Sequence, residues 1–122
     1  MSDQEFRGIA PKTPAGESIF FHSLDYWIGL CECIRMIMDE GFPPYPSMDA
    51  ETAEYVADLL ERRLNFGLVR SHFELEARHR LSDPDIPEAE IEAEVGEYVE
   101  TMLDWTSQYI AFLKECGGCE AV

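Results

Sequence analysis

The sequence predicts an all-α protein, in which an antiparallel hairpin of two long helices carries a shorter N-terminal helix as a three- to four-helix bundle. Apolar residues recur at helical spacing through residues 24–38, 50–81 and 86–116, as amphipathic helices require. No stretch alternates with a period of two over strand length, so no sheet is predicted. Residues 19–122 are expected to form one domain behind a flexible N-terminal arm of residues 1–18.

Composition narrows the classes of partner. The chain has 122 residues with 46% hydrophobic content, enough for a core, and its 25 acidic against 9 basic residues give a formal net charge of -16. A field of that sign repels nucleic acid and anionic membranes and favours a basic partner. No secretory signal and no apolar run of about 18 residues is present, so we expect a cytoplasmic protein with reduced cysteines and no membrane association.

A first helix is predicted from Ser23, a residue type that caps helix N-termini, to Gly41. The proline-rich residues 41–46 cannot continue it, because each proline removes a backbone donor and restricts its predecessor. Pro43 and Pro46 match the P-x-x-P pattern of polyproline ligands. Such matches arise often by composition, so an ordered interhelix loop is the favoured interpretation.

The second helical stretch begins after Asp49, which is predicted as its N-cap, and continues to Leu81. Gly67 interrupts it and either ends one helix or only weakens a continuous one. A near-continuous or kinked helix over residues 50–81 is favoured, because it equals residues 86–116 in length. Two helices of equal length form a hairpin.

The last helix has the longest apolar stripe in the sequence, from Ile91 to Cys116. Asp85 and Glu88 have the spacing of a capping box at its start, and Gly117 stands where a left-handed C-terminal cap is expected. Residues 82–87 form the predicted turn of the hairpin.

Folding back at that turn brings opposite charges together. Arg70 should lie near Glu100, and Arg78 and Arg80 should lie near a group of acidic residues in the last helix: Glu88, Glu90 and Glu94.

Self-association is expected because the first helix, about half as long as the others, leaves apolar surface of the last helix uncovered. A second copy of the chain could cover it by two-fold pairing. The sequence therefore predicts a homodimer.

Three segments, residues 21–27, 49–60 and 112–118, share a pattern with known proteins. The last of them reads Phe-Leu-Lys-Glu-Cys-Gly-Gly. Together they resemble a family of small bacterial helical proteins of unknown activity, whose chains close on Phe-Leu followed by Gly-Gly and an aromatic residue. Cys119 stands here in place of that aromatic residue. The resemblance implies a small helical domain and carries no activity and no site residue.

His72, Glu76 and His79 stand at i, i+4 and i+7, so a continuous helix would place them on one face. Glu76 and His79 have the E-x-x-H spacing of diiron bundles, which need two such elements and two further core glutamates. This chain has one such element. The partner helix adds a row of acidic residues that is typical of a solvated face: Glu90, Glu94 and Glu97. Metal binding by the two histidines and Glu76 is therefore a secondary hypothesis, and no cofactor is predicted.

Cys116 and Cys119 form a C-x-x-C motif, which can indicate redox chemistry or zinc binding. The motif lies at a helix C-terminus, where the helix dipole opposes a thiolate. Cys31 and Cys33 point about 200° apart on a helix, so they cannot both join the pair on one zinc ion. Structural cysteines are the favoured interpretation.

No phosphate-binding glycine loop, nucleophile elbow or H-E-x-x-H motif occurs, so no catalytic residue is predicted. The leading hypothesis is a non-enzymatic acidic helical protein that acts by protein–protein association, with itself and with a basic protein partner. The acidic residues 88–104, without a Lys or Arg before Lys114, motivate it. The alternative is metal or small-molecule binding in the interhelix groove near His72, Glu76 and His79.

Overall fold

The computed structural model describes residues 4–21, 24–37 and 47–121. This part of the chain forms four helices, three short strands and a 3₁₀ turn (Pro14–Gly16); the elements are β1 (Gln4–Gly8), β2 (Ser18–Phe21), α1 (Leu24–Ile37), α2 (Ala50–Asn65), α3 (Leu68–Arg80), α4 (Glu88–Glu115) and β3 (Cys119–Ala121). The prediction of a mostly helical protein is confirmed. None of the helices described is both long and apolar enough to cross a membrane.

The prediction of a protein without a sheet is wrong. The three strands form one antiparallel sheet in the order β2-β1-β3, with Phe6 of β1 opposite Ile19 on one side and Ala121 on the other. Each strand is at most 5 residues long, which is too short for a period of two to stand out in the sequence. Pairing β1 with β3 joins the two ends of the chain, and only tertiary structure decides such a contact.

The segment that was predicted as a flexible N-terminal arm contains β1 and packs on the helices. Phe6 is buried, and its ring centroid lies 4.4 Å from that of Trp27 in α1. Residues 9–12 then cross the end of α4, where the N–H groups of Ala10 and Lys12 donate to the carbonyls of Cys116 (3.1 Å) and Glu115 (2.8 Å). Carbonyls in the last turn of a helix have no partner within it. The N-terminal segment therefore caps α4.

α1 begins directly after the predicted cap. Ser23 itself lies outside the described residues, as do the predicted helix end at Gly41 and the connector of residues 41–46. Within α1, the inward face supplies a run of buried side chains to the core: Trp27, Leu30, Cys31, Cys33 and Ile34.

The second helical stretch is two helices. Asp49 caps α2 as predicted, since its carboxylate accepts a hydrogen bond from Thr52 N–H at 2.7 Å. Gly67 has a φ of +82° and separates α2 from α3. A left-handed residue cannot continue a right-handed helix, so the favoured prediction of a near-continuous helix is wrong. Glycine adopts this conformation without steric cost.

The ends of α4 confirm one predicted signal and contradict the other. Gly117 has a φ of +63°, the left-handed conformation expected after the helix. The predicted capping box does not form, because Pro87 is the N-cap and no side chain caps the helix. Asp85 instead belongs to the turn, where its N–H donates to the carboxylate of Asp83 at 2.8 Å.

α3 folds back on α4 as the charge pattern predicted. Arg70 lies 3.1 Å from Glu100, and Arg78 forms a two-pronged ion pair with Glu92 of α4, which was not among the glutamates predicted for it. The expectation that Arg80 would join the α4 glutamates is wrong, because Arg80 turns toward Glu76 of its own helix.

The sheet covers apolar surface of α4 that a second copy of the chain had been expected to cover. Met102, Tyr109, Phe112 and Cys116 of its apolar stripe are all buried. Phe21 of β2 packs on the same helix, with its ring centroid 4.7 Å from that of Trp105. The apolar surface that motivated the homodimer is thus used within one chain, and the homodimer remains a prediction that needs another surface.

Candidate functional site

A groove opens on the face of the protein where α1, α3 and α4 meet. It consists of a cavity of about 450 Å³ and a neighbouring cavity of about 220 Å³, which share Tyr26 and Tyr98. We call it the tyrosine groove. The first cavity is lined by Tyr26, Ile28, Gly29, Glu32, Glu76, Arg80 and Tyr98, and the second adds Glu94, Glu97 and Thr101.

These side chains meet because α1, α3 and α4 pack against one another. Gly29 lies on the buried side of α1, and a Cβ atom there would lie 3.4 Å from Met102 Cε and 3.6 Å from the Tyr98 hydroxyl. Those are van der Waals contact distances, so the missing side chain leaves room for about one methyl group. An alanine would therefore fit at this position, and the Tyr98 hydroxyl lies close to α1 where it lines the groove.

Glu76 is the centre of the polar contacts in the groove. Its Oε1 atom accepts a hydrogen bond from the Tyr98 hydroxyl at 3.2 Å and lies 3.8 Å from Arg80 Nη2. Its Oε2 atom lies 3.2 Å from His72 Nε2. That last contact lacks the alignment of a hydrogen bond, and among the described residues the buried Nε2 atom has no hydrogen-bond partner.

Tyr98 provides both an aromatic face and a hydroxyl. The Arg80 guanidinium lies over its ring, 4.6 Å from the centroid, which is a cation–π contact. Burial, followed by the negative charge of Glu76, raises the pKa of Tyr98 to about 12. The hydroxyl therefore stays protonated and donates to Glu76 at any physiological pH.

The metal hypothesis loses its geometric basis. The structure brings His72 and Glu76 together, but His79 is exposed on the outer side of α3. Within the described residues, no three side chains of the metal-binding types are grouped closely enough to hold an ion. The groove predicted near these residues exists, and Glu76 is the only one of the three that lines it.

The row of glutamates on α4 is exposed, as predicted for a solvated face. Glu94 and Glu97 of this row form the wall of the smaller cavity. Together with Glu32 and Glu76 they place four carboxylates around the groove against the one guanidinium of Arg80. The groove is therefore acidic and carries two aromatic faces.

The four cysteines are buried and unbridged. Cys31 lies near Tyr109, whereas Cys33 lies near Glu76, so the two point to different parts of the core as predicted. Burial raises the pKa of each to about 12. Neither is a candidate nucleophile at neutral pH.

Comparison with protein-family models, with curated proteins and with solved structures finds no match. The resemblance to a family of small bacterial proteins therefore remains a prediction. The site must be interpreted from its own chemistry.

Of the three residues that the sequence suggested for a groove, only Glu76 lines it, and the residues that define it were missed. Tyr98 was assigned to the apolar stripe of the last helix, Arg80 to the glutamates across the hairpin, and Tyr26 was not singled out. The one available signal was a tyrosine within an apolar stripe, since a buried tyrosine hydroxyl needs a hydrogen-bond partner.

Proposed function

We propose that the protein is a non-enzymatic binding protein and that its tyrosine groove receives a basic segment of a protein partner. The observation that supports this most directly is the position of Arg80. A guanidinium already lies on the Tyr98 ring and 3.8 Å from the Glu76 carboxylate. An aromatic face combined with a carboxylate is the environment in which proteins hold arginine side chains.

The surrounding charge supports the same partner. Within the described residues, no ion pair includes Glu32, Glu94 or Glu97. These carboxylates remain available to a cationic partner, and the formal net charge of -16 would steer such a partner toward the protein. The two tyrosine rings supply the rigid apolar area that binding sites use for affinity.

A binding experiment with three labelled peptides tests the proposal. The peptides are matched in length and rich in arginine, lysine or glutamate, and fluorescence anisotropy measures their affinity. We expect the arginine peptide to bind best, because a guanidinium stacks on a ring and forms paired hydrogen bonds. The glutamate peptide should not bind. Equal binding of the arginine and glutamate peptides would contradict the proposal.

Two pairs of variants locate the binding site. Tyr98→Leu should weaken binding about tenfold by removing the aromatic face, whereas Tyr55→Leu, on exposed α2 surface, is the matched control. Replacing Glu94 and Glu97 by glutamine should also weaken binding, and the same charge change at Glu17 and Glu120 serves as its control. If each control has as large an effect as its partner, the groove is not the site.

Arg80 offers a separate test, because it occupies the position that we assign to the partner. Arg80→Gln should increase the affinity for the arginine peptide, since the competing internal guanidinium is removed. A partner that binds elsewhere would not gain from this change. A loss of affinity in Arg80→Gln would show that the acidic groove is not the receptor.

A second candidate is a small cationic molecule in the same groove. A cavity of about 450 Å³ falls within the size range of ligand pockets, about 300 to 1,000 Å³. Calorimetric titration with spermidine tests this alternative. Tight spermidine binding that is lost in Tyr98→Leu, together with weak peptide binding, would favour it over a protein partner.

We also propose a homodimer, now based on a different surface. Phe66, at the corner between α2 and α3, is 81% exposed, and Leu68 and Leu75, seven residues apart on α3, are 43% and 71% exposed. Exposed apolar side chains of this size are typical of association surfaces. Sedimentation equilibrium should show a dimer that tightens as salt screens the net charge.

Matched substitutions test whether these exposed apolar side chains form the dimer. Phe66→Gln combined with Leu75→Gln should yield a monomer, whereas Ile9→Gln, at an exposed apolar position on the N-terminal segment, should not. A wild-type protein that stays monomeric at micromolar concentration in moderate salt would exclude the dimer.

A further inference from the structure

The C-x-x-C motif lies at a junction of three chain segments. Cys116 ends α4, and Gly117 and Gly118, with φ of +63° and +96°, turn the chain into β3. Ile9 N–H donates to the Gly118 carbonyl at 2.8 Å, and the backbone groups of Met48 and Cys119 exchange two hydrogen bonds of 2.9 Å each. The turn is therefore held from both sides by the N-terminal segment and by the residues that precede α2.

The two thiols meet inside this turn. Cys116 and Cys119 are 0% and 2% exposed and their thiols interact with each other, while the Cys116 thiol also donates to the Leu113 carbonyl at 3.5 Å. A Cβ atom at Gly117 would lie 2.2 Å from the Ala10 carbonyl oxygen, and one at Gly118 would lie 3.1 Å from that of Met48. Because only glycine fits at these two positions, the turn keeps the sulfurs in contact.

Several groups around Cys116 act on its pKa in addition to the helix dipole. The helix dipole was expected to oppose a thiolate at this end. The hydrogen bond from the Cys119 thiol lowers the pKa of Cys116 to about 7, with further help from the Gly118 N–H and the Lys12 ammonium. The Lys12 ammonium acts through its charge alone, because its hydrogen bond goes to Glu54. The same hydrogen bond, together with burial, raises the pKa of Cys119.

We propose that Cys116 and Cys119 are a redox-active dithiol that closes to an intramolecular disulfide on reaction with a small hydroperoxide. Cys116 attacks the peroxide, whose O–O bond breaks, and Cys116 becomes a sulfenic acid while an alcohol or water leaves. The Cys119 sulfur then attacks the Cys116 sulfur. The S–S bond forms, the S–O bond breaks, and hydroxide leaves with the Cys119 proton as water. Two electrons pass from the pair to the peroxide.

Burial restricts which oxidants can reach the two thiols, and the position of the other cysteines decides which pair forms the disulfide. Bulky disulfides such as oxidised glutathione cannot reach sulfurs that are almost completely covered, whereas hydrogen peroxide is close to water in size. Cys31 lies near the same Tyr109 side chain but has no hydrogen bond with the pair. The disulfide therefore forms between Cys116 and Cys119.

The test treats the folded full-length protein with hydrogen peroxide, blocks free thiols under denaturing conditions and maps the cysteine peptides by mass spectrometry. We expect one disulfide, between Cys116 and Cys119, which dithiothreitol reverses, while Cys31 and Cys33 remain alkylated. In Cys119→Ser the sulfenic acid of Cys116 should accumulate and react with dimedone that is added as the protein is denatured. Cys33→Ser is the matched control and should form the disulfide at the wild-type rate.

A rate comparison makes the test independent of any folding defect in the variants. The folded wild-type chain should form the Cys116–Cys119 disulfide about tenfold faster than the chain unfolded in urea, because the fold lowers the pKa of the attacking thiol and holds its partner. A faster reaction in urea, equal oxidation of all four cysteines or a disulfide that includes Cys31 would overturn the proposal.

Discussion

The two halves of α4 lie in opposite surroundings. The C-terminal half is enclosed by the sheet and α1, with aromatic rings in contact on every side: the Phe21 centroid is 4.7 Å from that of Trp105, and the Trp27 centroid is 5.4 Å from that of Tyr109. The N-terminal half is flanked by exposed ion pairs and borders the tyrosine groove. We call the C-terminal half of α4 the closed half and its N-terminal half the open half. The closed half supplies stability, and the open half leaves polar groups available to a partner.

The difference also explains where each kind of chemistry can occur. In the closed half, buried thiols are screened from large reagents and their pKa values depend on a few nearby donors. In the open half, carboxylates keep their hydration and act on a partner through charge. One helix thus connects a proposed redox pair with a proposed binding groove.

Removing an aromatic ring from the closed half should have the largest effect. Phe21→Ala leaves a cavity among packed rings, so the free energy of unfolding should fall by about 3 to 5 kcal/mol in urea denaturation. Phe20→Ala, on the outward face of the same strand and 41% exposed, is the matched control and should cost about 1 kcal/mol or less. Equal losses would mean that the aromatic cluster does not stabilise this end.

The two left-handed glycines that follow helices should respond differently to alanine. Gly67→Ala meets nothing within 4 Å, so only backbone strain of about 1 to 2 kcal/mol is expected. Gly117→Ala adds a clash 2.2 Å from the Ala10 carbonyl oxygen and should cost more than twice as much. Thermal denaturation of both variants measures the difference. A smaller loss for Gly117→Ala would show that the N-terminal segment is not held against α4.

The titration of Cys116 tests the electrostatics of the closed end. The facing groups are the thiols of Cys119 and Cys31, the Tyr109 phenol and the Lys12 ammonium. Because the Cys119 hydrogen bond stabilises the thiolate, Cys119→Ala should raise the pKa of Cys116 from about 7 toward the ordinary value of a cysteine. Cys119→Ser keeps a donor and should leave it low. Thiolate absorbance against pH, with Cys116→Ser as the blank, measures the shift.

The smallest effect is expected at the open end. Arg78 and Glu92 are an exposed ion pair, so Arg78→Ala should lower stability only slightly at low salt and not measurably at high salt. Arg63→Ala is the control, since Arg63 has no ion pair within the described residues. A loss that is equal at all ionic strengths would assign Arg78 a packing role.

The sequence by itself determined the features that depend on neighbours along the chain. Helical periodicity located the three helical stretches, although not the break between α2 and α3; Asp49 marked the start of α2, and Gly117 marked the end of α4. The charge pattern correctly predicted the pairing of Arg70 with Glu100 across the hairpin. Each of these signals lies within a few residues or repeats with the period of a helix.

Only the tertiary structure decided the features that join distant segments. The sheet pairs the first described residues with the last, Arg80 turns to Tyr98 instead of the α4 glutamates, and the groups that act on Cys116 include Lys12 and Cys119. A charged or aromatic side chain has several possible partners in the sequence, and it contacts the one that lies nearest in the folded protein. The packing of the whole chain sets these distances. The sequence therefore predicted the helices, whereas the groove and the thiol pair emerged from how they pack.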